Sequence, residues 1–222
     1  MHVATQNTKY AGGLLHFTAM KKEFFVLLAC CAFVNALGAE IASPVSSLDT
    51  IKTTFADGSL ARVYTVQKGT DVREGVAISY HPNGKVAIEA PYKDGKLNGV
   101  FRSYYESGNL WQTIGYKDGI EEGFSTNFYE NGQKQSRENY KNGVLNGLSE
   151  EFDERGLVRR KIPYADGQIH GKAQIYDDLG AVKEEMTFER GIRNGAYRRY
   201  NKGVMVLDAE FKANRCVKNC DF

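Results

Sequence analysis

The sequence predicts an all-β chain, an elongated single-layer antiparallel sheet of β-hairpins repeating every 24 residues as a solenoid. Three observations carry that reading. The segment Tyr92-Lys93-Asp94-Gly95-Lys96-Leu97-Asn98-Gly99 returns as YKDGIEEG at 116, YKNGVLNG at 140, YADGQIHG at 164 and FERGIRNG at 188. Aromatic residues keep the same interval at Tyr80, Tyr104, Phe128, Phe152, Tyr176 and Tyr200, each followed by a turn glycine such as Gly84 or Gly108. Within a unit, Val86, Ile88, Ala90 and Tyr92 alternate with Lys85, Ala87, Glu89 and Pro91, the period of a strand with one apolar face. Several columns holding one period over successive copies are the mark of a repeat architecture.

The elements of a unit follow in order. Lys85–Tyr92 reads as the first strand, and Asp94-Gly95 as a tight turn, because glycine accepts positive φ without a Cβ clash. Val100–Tyr104 is the return strand, and Glu106-Ser107-Gly108 turns into the next unit. Apolar residues do not recur at helical steps, and glycine falls too often for helices. A lone hairpin is marginal, so the units must stack edge to edge, each advancing about 10 Å and six of them roughly 60 Å.

Because 24 is even, equivalent first-strand positions share a face in every unit. The columns Val86/Leu110/Lys134/Val158/Val182 and Ala90/Ile114/Glu138/Ile162/Met186 lie together, with Tyr92, Tyr116, Tyr140, Tyr164 and Phe188 beside them. Lys134, Ser136 and Glu138 interrupt this apolar stripe. Phe101, Tyr105, Trp111, Tyr129 and Tyr197 have the opposite parity and are the candidate interaction face. Aromatics among charges such as Lys85, Arg137, Arg159 and Lys183 suit partner recognition. The alternative is a thin sheet that buries aromatics on both faces.

Residues 20–39, MKKEFFVLLACCAFVNALGA, have the order of a secretory signal peptide: Lys21 and Lys22, an apolar run from Phe24 to Val34, then small residues. The run is too short for a stable span. Cleavage after Ala39 would leave Glu40 as the N-terminus, and residues 1–19 then read as an upstream extension of the true start at Met20. Leu27-Leu28-Ala29-Cys30 also resembles a bacterial lipobox, which would acylate Cys30 and anchor the chain to a membrane. The expected address is periplasmic or secreted.

Of 29 basic and 27 acidic residues, three lysines and one glutamate lie in residues 1–39, leaving 26 of each. A neutral, interspersed surface argues against nucleic-acid binding and against attraction to anionic lipid. Past the leader only Cys216 and Cys220 remain, an even pair expected to form a disulfide in an oxidising compartment. A metal site is the weaker reading, since two cysteines without a nearby histidine supply half a tetrahedral shell.

Residues 51–66, with Phe55-Ala-Asp-Gly58, read as the second half of a unit. The division expected is therefore a flexible lead-in at 40–50, the repeat domain at 51–215 and a cysteine-containing cap at 216–222. Little chemistry is visible. His81 and His170 stand at turn positions, no nucleophile elbow or paired-histidine motif accompanies them, and no cofactor or metal is expected. The Asp-Gly turns offer one carboxylate each, beside Lys93, Lys117 and Lys141, too few for calcium. The spacing of Gly95 and Gly99 lacks the lysine and helix of a phosphate loop.

The pattern of Tyr116–Gly132, YKDGIEEGFSTNFYENG, resembles the bacterial MORN-repeat variant family, and the resemblance extends over roughly residues 51–215. It implies elongated hairpin sheets that serve in scaffolding, partner binding or membrane association. Some bacterial members carry an antitoxin label, which the leader disfavours here because such an inhibitor acts in the cytosol. The expectation is thus a non-enzymatic, exported interaction module with a protein or envelope component as partner. The alternatives are an antitoxin-like cytoplasmic inhibitor and a passive structural spacer.

Overall fold

The computed structural model describes residues 47–220, in which every regular element is a strand. The expectations for the leader, for Ala39 and Glu40, and for acylation of Cys30 fall outside these residues. The strands are β1 (Leu48–Thr54), β2 (Leu60–Gln67), β3 (Gly75–Tyr80), β4 (Val86–Lys93), β5 (Lys96–Leu97) and β6 (Gly99–Tyr104). They continue as β7 (Leu110–Lys117), β8 (Ile120–Phe128), β9 (Lys134–Lys141), β10 (Val144–Leu145), β11 (Gly147–Phe152) and β12 (Val158–Ala165). The last are β13 (Gln168–Ile169), β14 (Gly171–Tyr176), β15 (Val182–Glu189), β16 (Ile192–Asn201), β17 (Val204–Lys212) and β18 (Arg215–Lys218). All 18 belong to one sheet. The longer strands pair antiparallel in the order of the sequence, and the two-residue strands β5, β10 and β13 pair only with the strand before them, so the sheet is a continuous meander of the predicted kind.

Turn chemistry explains the meander. Asp94 and Gly95 both take positive φ, 48° and 78°, the two-residue hairpin turn whose twist matches its flanking strands. The turn is also tied to the unit before it, because Gly95 N–H donates to the Arg73 carbonyl at 2.9 Å. Gly119, Gly143, Gly167 and Gly191 repeat that bond to Leu97, Glu121, Leu145 and Ile169. The tight turns therefore form a hydrogen-bonded staircase along one edge, and each unit sets the register of the next.

The other turns are set by a bulge at the aromatic column. Tyr104 pairs with Leu110 while Ser103 pairs with Gln112, so Trp111 has no residue opposite it. The same slip recurs at Tyr80, Phe128, Phe152 and Tyr176. An extra residue bends and twists the strand into the turn, which gives the aromatic column its fixed place before each glycine.

Two boundaries differ from expectation. Residues 48–50 are strand rather than lead-in, because β2 runs on to Gln67 and supplies a pairing edge as far as Leu48. A short strand also follows each tight turn in three units, at β5, β10 and β13, since two further residues can pair before the backbone bends toward the return strand.

The faces differ more. In an antiparallel pair, opposite residues share a face. Phe101 lies opposite Ile114, and Tyr197 lies opposite Met186, so both sit on the apolar-stripe face, not the reverse one. Parity along the chain is preserved from unit to unit but inverted across each hairpin, so one parity does not mark one face in both strands. This first face holds Ala90, Phe101, Ile114, Ile162, Met186 and Tyr197, with rings meeting edge to face at Phe101–Tyr116 (6.3 Å) and Tyr197–Phe211 (6.1 Å). Its middle is polar and internally satisfied: Asn127 donates to Ser136 Oγ, and Tyr140 donates its hydroxyl proton to Glu138.

Burial is shallow, as a single layer requires. Val66, Ala90, Tyr197, Ala209 and Phe211 are the buried apolar residues among those described, and no large side chain is completely enclosed. The densest packing joins Tyr197, Ala209 and Phe211 with Met186, Leu207 and Cys216 near the C-terminal end.

Candidate interaction surface

The five aromatic candidates do not form one surface. Tyr197 is 7% exposed and belongs to the C-terminal cluster, while Phe101 is half-buried against Tyr116. Tyr105 and Tyr129 occupy the glycine-turn edge. Each donates its hydroxyl proton to a carbonyl of the following unit, Phe128 at 2.7 Å and Phe152 at 2.9 Å. His81 makes the equivalent contact with the Tyr104 carbonyl through Nε2 at 3.0 Å. The column therefore stitches units together on the edge opposite the tight-turn staircase. Trp111 is the exposed member at 46%, tilted beside Tyr105 with ring centroids 6.2 Å apart.

A more regular apolar surface lies on the second face. Val76, Val100, Phe124 and Leu148 stand 24 residues apart and are 52%, 44%, 51% and 42% exposed. Pro91 and Pro163, opposite Val76 and Leu148, widen the strip. The Arg137 guanidinium lies 3.7 Å from the centre of the Phe124 ring, a cation–π contact that leaves much of the ring in water. Parity had hidden this column, although its 24-residue interval was visible in the sequence.

Beside that strip, charged residues run across the second face in a row. Arg137, Glu150, Lys161, Gln174, Glu185 and Arg198 each stand opposite the next, ending at Asp208. Lys161 pairs with Glu150 at 3.4 Å, and Arg198 with Asp208 at 3.1 Å. Glu185 accepts from Lys172 and Gln174. Burial opposes ionisation of its carboxyl, yet these two donors and the charge of Lys172 hold its pKa below the ordinary value. Ion pairs thus link Lys161 with Glu150 and Arg198 with Asp208 along a row in which Gln174 is the uncharged member.

On the first face, the C-terminal half carries a shallow hollow of about 290 Å³ between Arg160, Ile162, Ile175, Met186, Phe188 and Arg193. Toward the middle of the sheet, Tyr140 is the most perturbed group. Burial, and then its hydrogen bond and proximity to Glu138, push its phenol up to about 12. The unfolded chain keeps the ordinary 10.0. The folded state thus holds the phenolic proton more tightly, and stability is lost as pH rises from 10 toward about 12. Tyr140→Phe should flatten that alkaline loss, read from urea midpoints between pH 9 and 11; an unchanged pH slope would refute the assignment.

The remaining titratable groups are dispersed. His170 follows a tight turn, on the edge opposite the glycine turn that holds His81, and accepts a long bond from the Arg190 amide at 3.4 Å. Among the described residues, no three histidine, cysteine, aspartate or glutamate side chains come together as a metal site. Cys216 and Cys220 are bonded, with their Cα atoms 5.8 Å apart.

The MORN repeat variant family matches residues 73–94, 97–118 and 121–142, three consecutive units in step with the 24-residue period. No curated protein matches the chain.

Proposed function

Because this chain carries MORN-variant repeats, which suit a protein-interaction module, we propose that it is an exported, non-enzymatic member of that class. Its partner is a protein of the cell envelope that lays an apolar ridge along the second face. The observation that carries this is the exposed column Val76, Val100, Phe124 and Leu148, repeated at one interval on a stiff sheet. Contiguous exposed apolar surface rimmed by charge is the composition of an interaction patch rather than of inert surface. Export rests on the n-region, apolar run and small-residue site in residues 20–39. A non-catalytic role is supported by the separation of His81 and His170, which lie on opposite sheet edges and contact main-chain groups.

Two measurements test the reading. Residues 20–45 fused to an export reporter should carry it across the inner membrane, and the mature N-terminus should be Glu40. Cross-linking of the chain in an envelope extract should give a discrete conjugate that is lost with Val100→Asp, Phe124→Asp and Leu148→Asp combined. A reporter retained inside, or conjugates indifferent to the triple substitution in a folded chain, would each defeat the proposal.

A further inference from the structure

The two ends of the sheet are complementary halves of one repeat unit. A regular unit places a long first strand against a return strand: β4 pairs with β6 through Ile88–Ser103 and Glu89–Arg102. The same pairing joins β15 to β16 through Glu184–Arg199 and Glu185–Arg198. At the N-terminal end, β1 holds the return-strand position, since Lys52 opposite Val63 and Thr53 opposite Arg62 match Ile78 and Ser79 opposite Glu89 and Ile88. At the C-terminal end, β17 holds the first-strand position. Asp208 opposite Arg198 and Leu207 opposite Arg199 match Glu185 and Glu184 in β15. The outer edge of β1 has no strand partner among the described residues. β18 covers β17 only at Glu210–Lys212, leaving Val204, Met205 and Val206 exposed on an unpaired edge.

We propose that the outer edge of β17 is a docking edge for β1 of a second copy of this chain, joining two sheets head to tail. The repeat register then fixes the pairing. Asp208 stands opposite Lys52 of the second copy, and Leu207 opposite Thr53. The charged row of the second face, which ends on the carboxylate of Asp208, continues with an ammonium group. Unpaired edges add strands through backbone hydrogen bonds, and a heterologous contact of this kind builds open chains of subunits.

The Cys216–Cys220 bond closes this edge. It holds the loop that follows β18 so that Asn219 Nδ2 donates to the Asp208 carbonyl at 2.7 Å, the place where the incoming strand must pair. A dithiol reductant opens it. The S–S bond takes up two electrons and two protons to give two thiols, and the reductant leaves as its own disulfide. In an oxidising compartment the bond persists and the edge stays covered. This inference does not depend on the second-face partner.

Sedimentation velocity of the full chain tests it. The oxidised chain stays monomeric, whereas the chain in dithiothreitol, or Cys216→Ser/Cys220→Ser, forms species that grow with concentration. In the double-serine background, Asp208→Lys or Lys52→Asp alone raises the concentration for half-association about fivefold, and combining them in one chain restores it. That rescue separates the contact from misfolding. Monomers in both redox states, association of the oxidised chain, or association indifferent to these charges overturns the proposal.

Discussion

Gly115→Ala should destabilise the sheet by about 3 kcal/mol, the cost of forcing a methyl group into space already filled by backbone. A Cβ built there would lie 2.2 Å from the Glu122 carbonyl oxygen, and a backbone atom cannot swing aside as a side chain can. The cause is local. The sister positions hold Pro91, Asn139, Pro163 and Thr187, so the repeat itself accepts side chains there. The pairing slips between Ile114–Ser125 and Tyr116–Glu121, as it also does around Thr187 between Met186–Tyr197 and Phe188–Arg193, and at Gly115 the Glu122 carbonyl fills the space a side chain would take. A repeat array is held by nearest-neighbour interfaces, so the substitution should also divide the unfolding transition into two. Urea denaturation followed by circular dichroism reads both effects; a single unshifted transition would show that β8 relaxes freely.

Phe211→Ala should cost about 3 kcal/mol, but with a different distribution. Phe211 is 8% exposed and meets Tyr197 edge to face inside the only dense cluster described. Arg193 lies 5.7 Å from its ring and loses that contact too. Since the cluster closes the end of the array, β17 and β18 should fray while the units from β3 to β12 keep their protection. Hydrogen exchange read by mass spectrometry should accelerate over residues 197–218 and change little over 75–165. Uniform acceleration along the chain would mean that the array behaves as one cooperative block, contrary to the nearest-neighbour picture.

The sequence made the period, both turns and the hairpin meander legible because each depends on residues close together in the chain. Asp94-Gly95 specifies its own backbone, and Tyr104 with Gly108 marks the bulge and turn that follow. The pairing of Cys216 with Cys220 could be expected because no other cysteine follows Cys31 in the sequence. Face assignment was harder because it is a property of pairs. Whether Phe101 joins Ile114 or turns its back on it depends on how many residues the hairpin between them consumes, and the bulge at Tyr104 adds one to that count. The stitching by Tyr105 and Tyr129 was also hidden. Their partners are main-chain carbonyls 23 residues away, which leave no trace in side-chain composition. What could have been found is the column Val76, Val100, Phe124 and Leu148, had the same 24-residue ruler been laid on the start of the return strand.

A layer one strand thick, wetted on both sides, also sets how the molecule responds to heat and denaturant. Unfolding it uncovers little oily area per residue, so its heat-capacity increment and its urea slope should fall below those of a globular domain of equal length. The curve of free energy against temperature is then broad and flat. Cold weakens such a molecule less than it weakens one organised around a deep interior, because there is less hydrophobic driving force to fade.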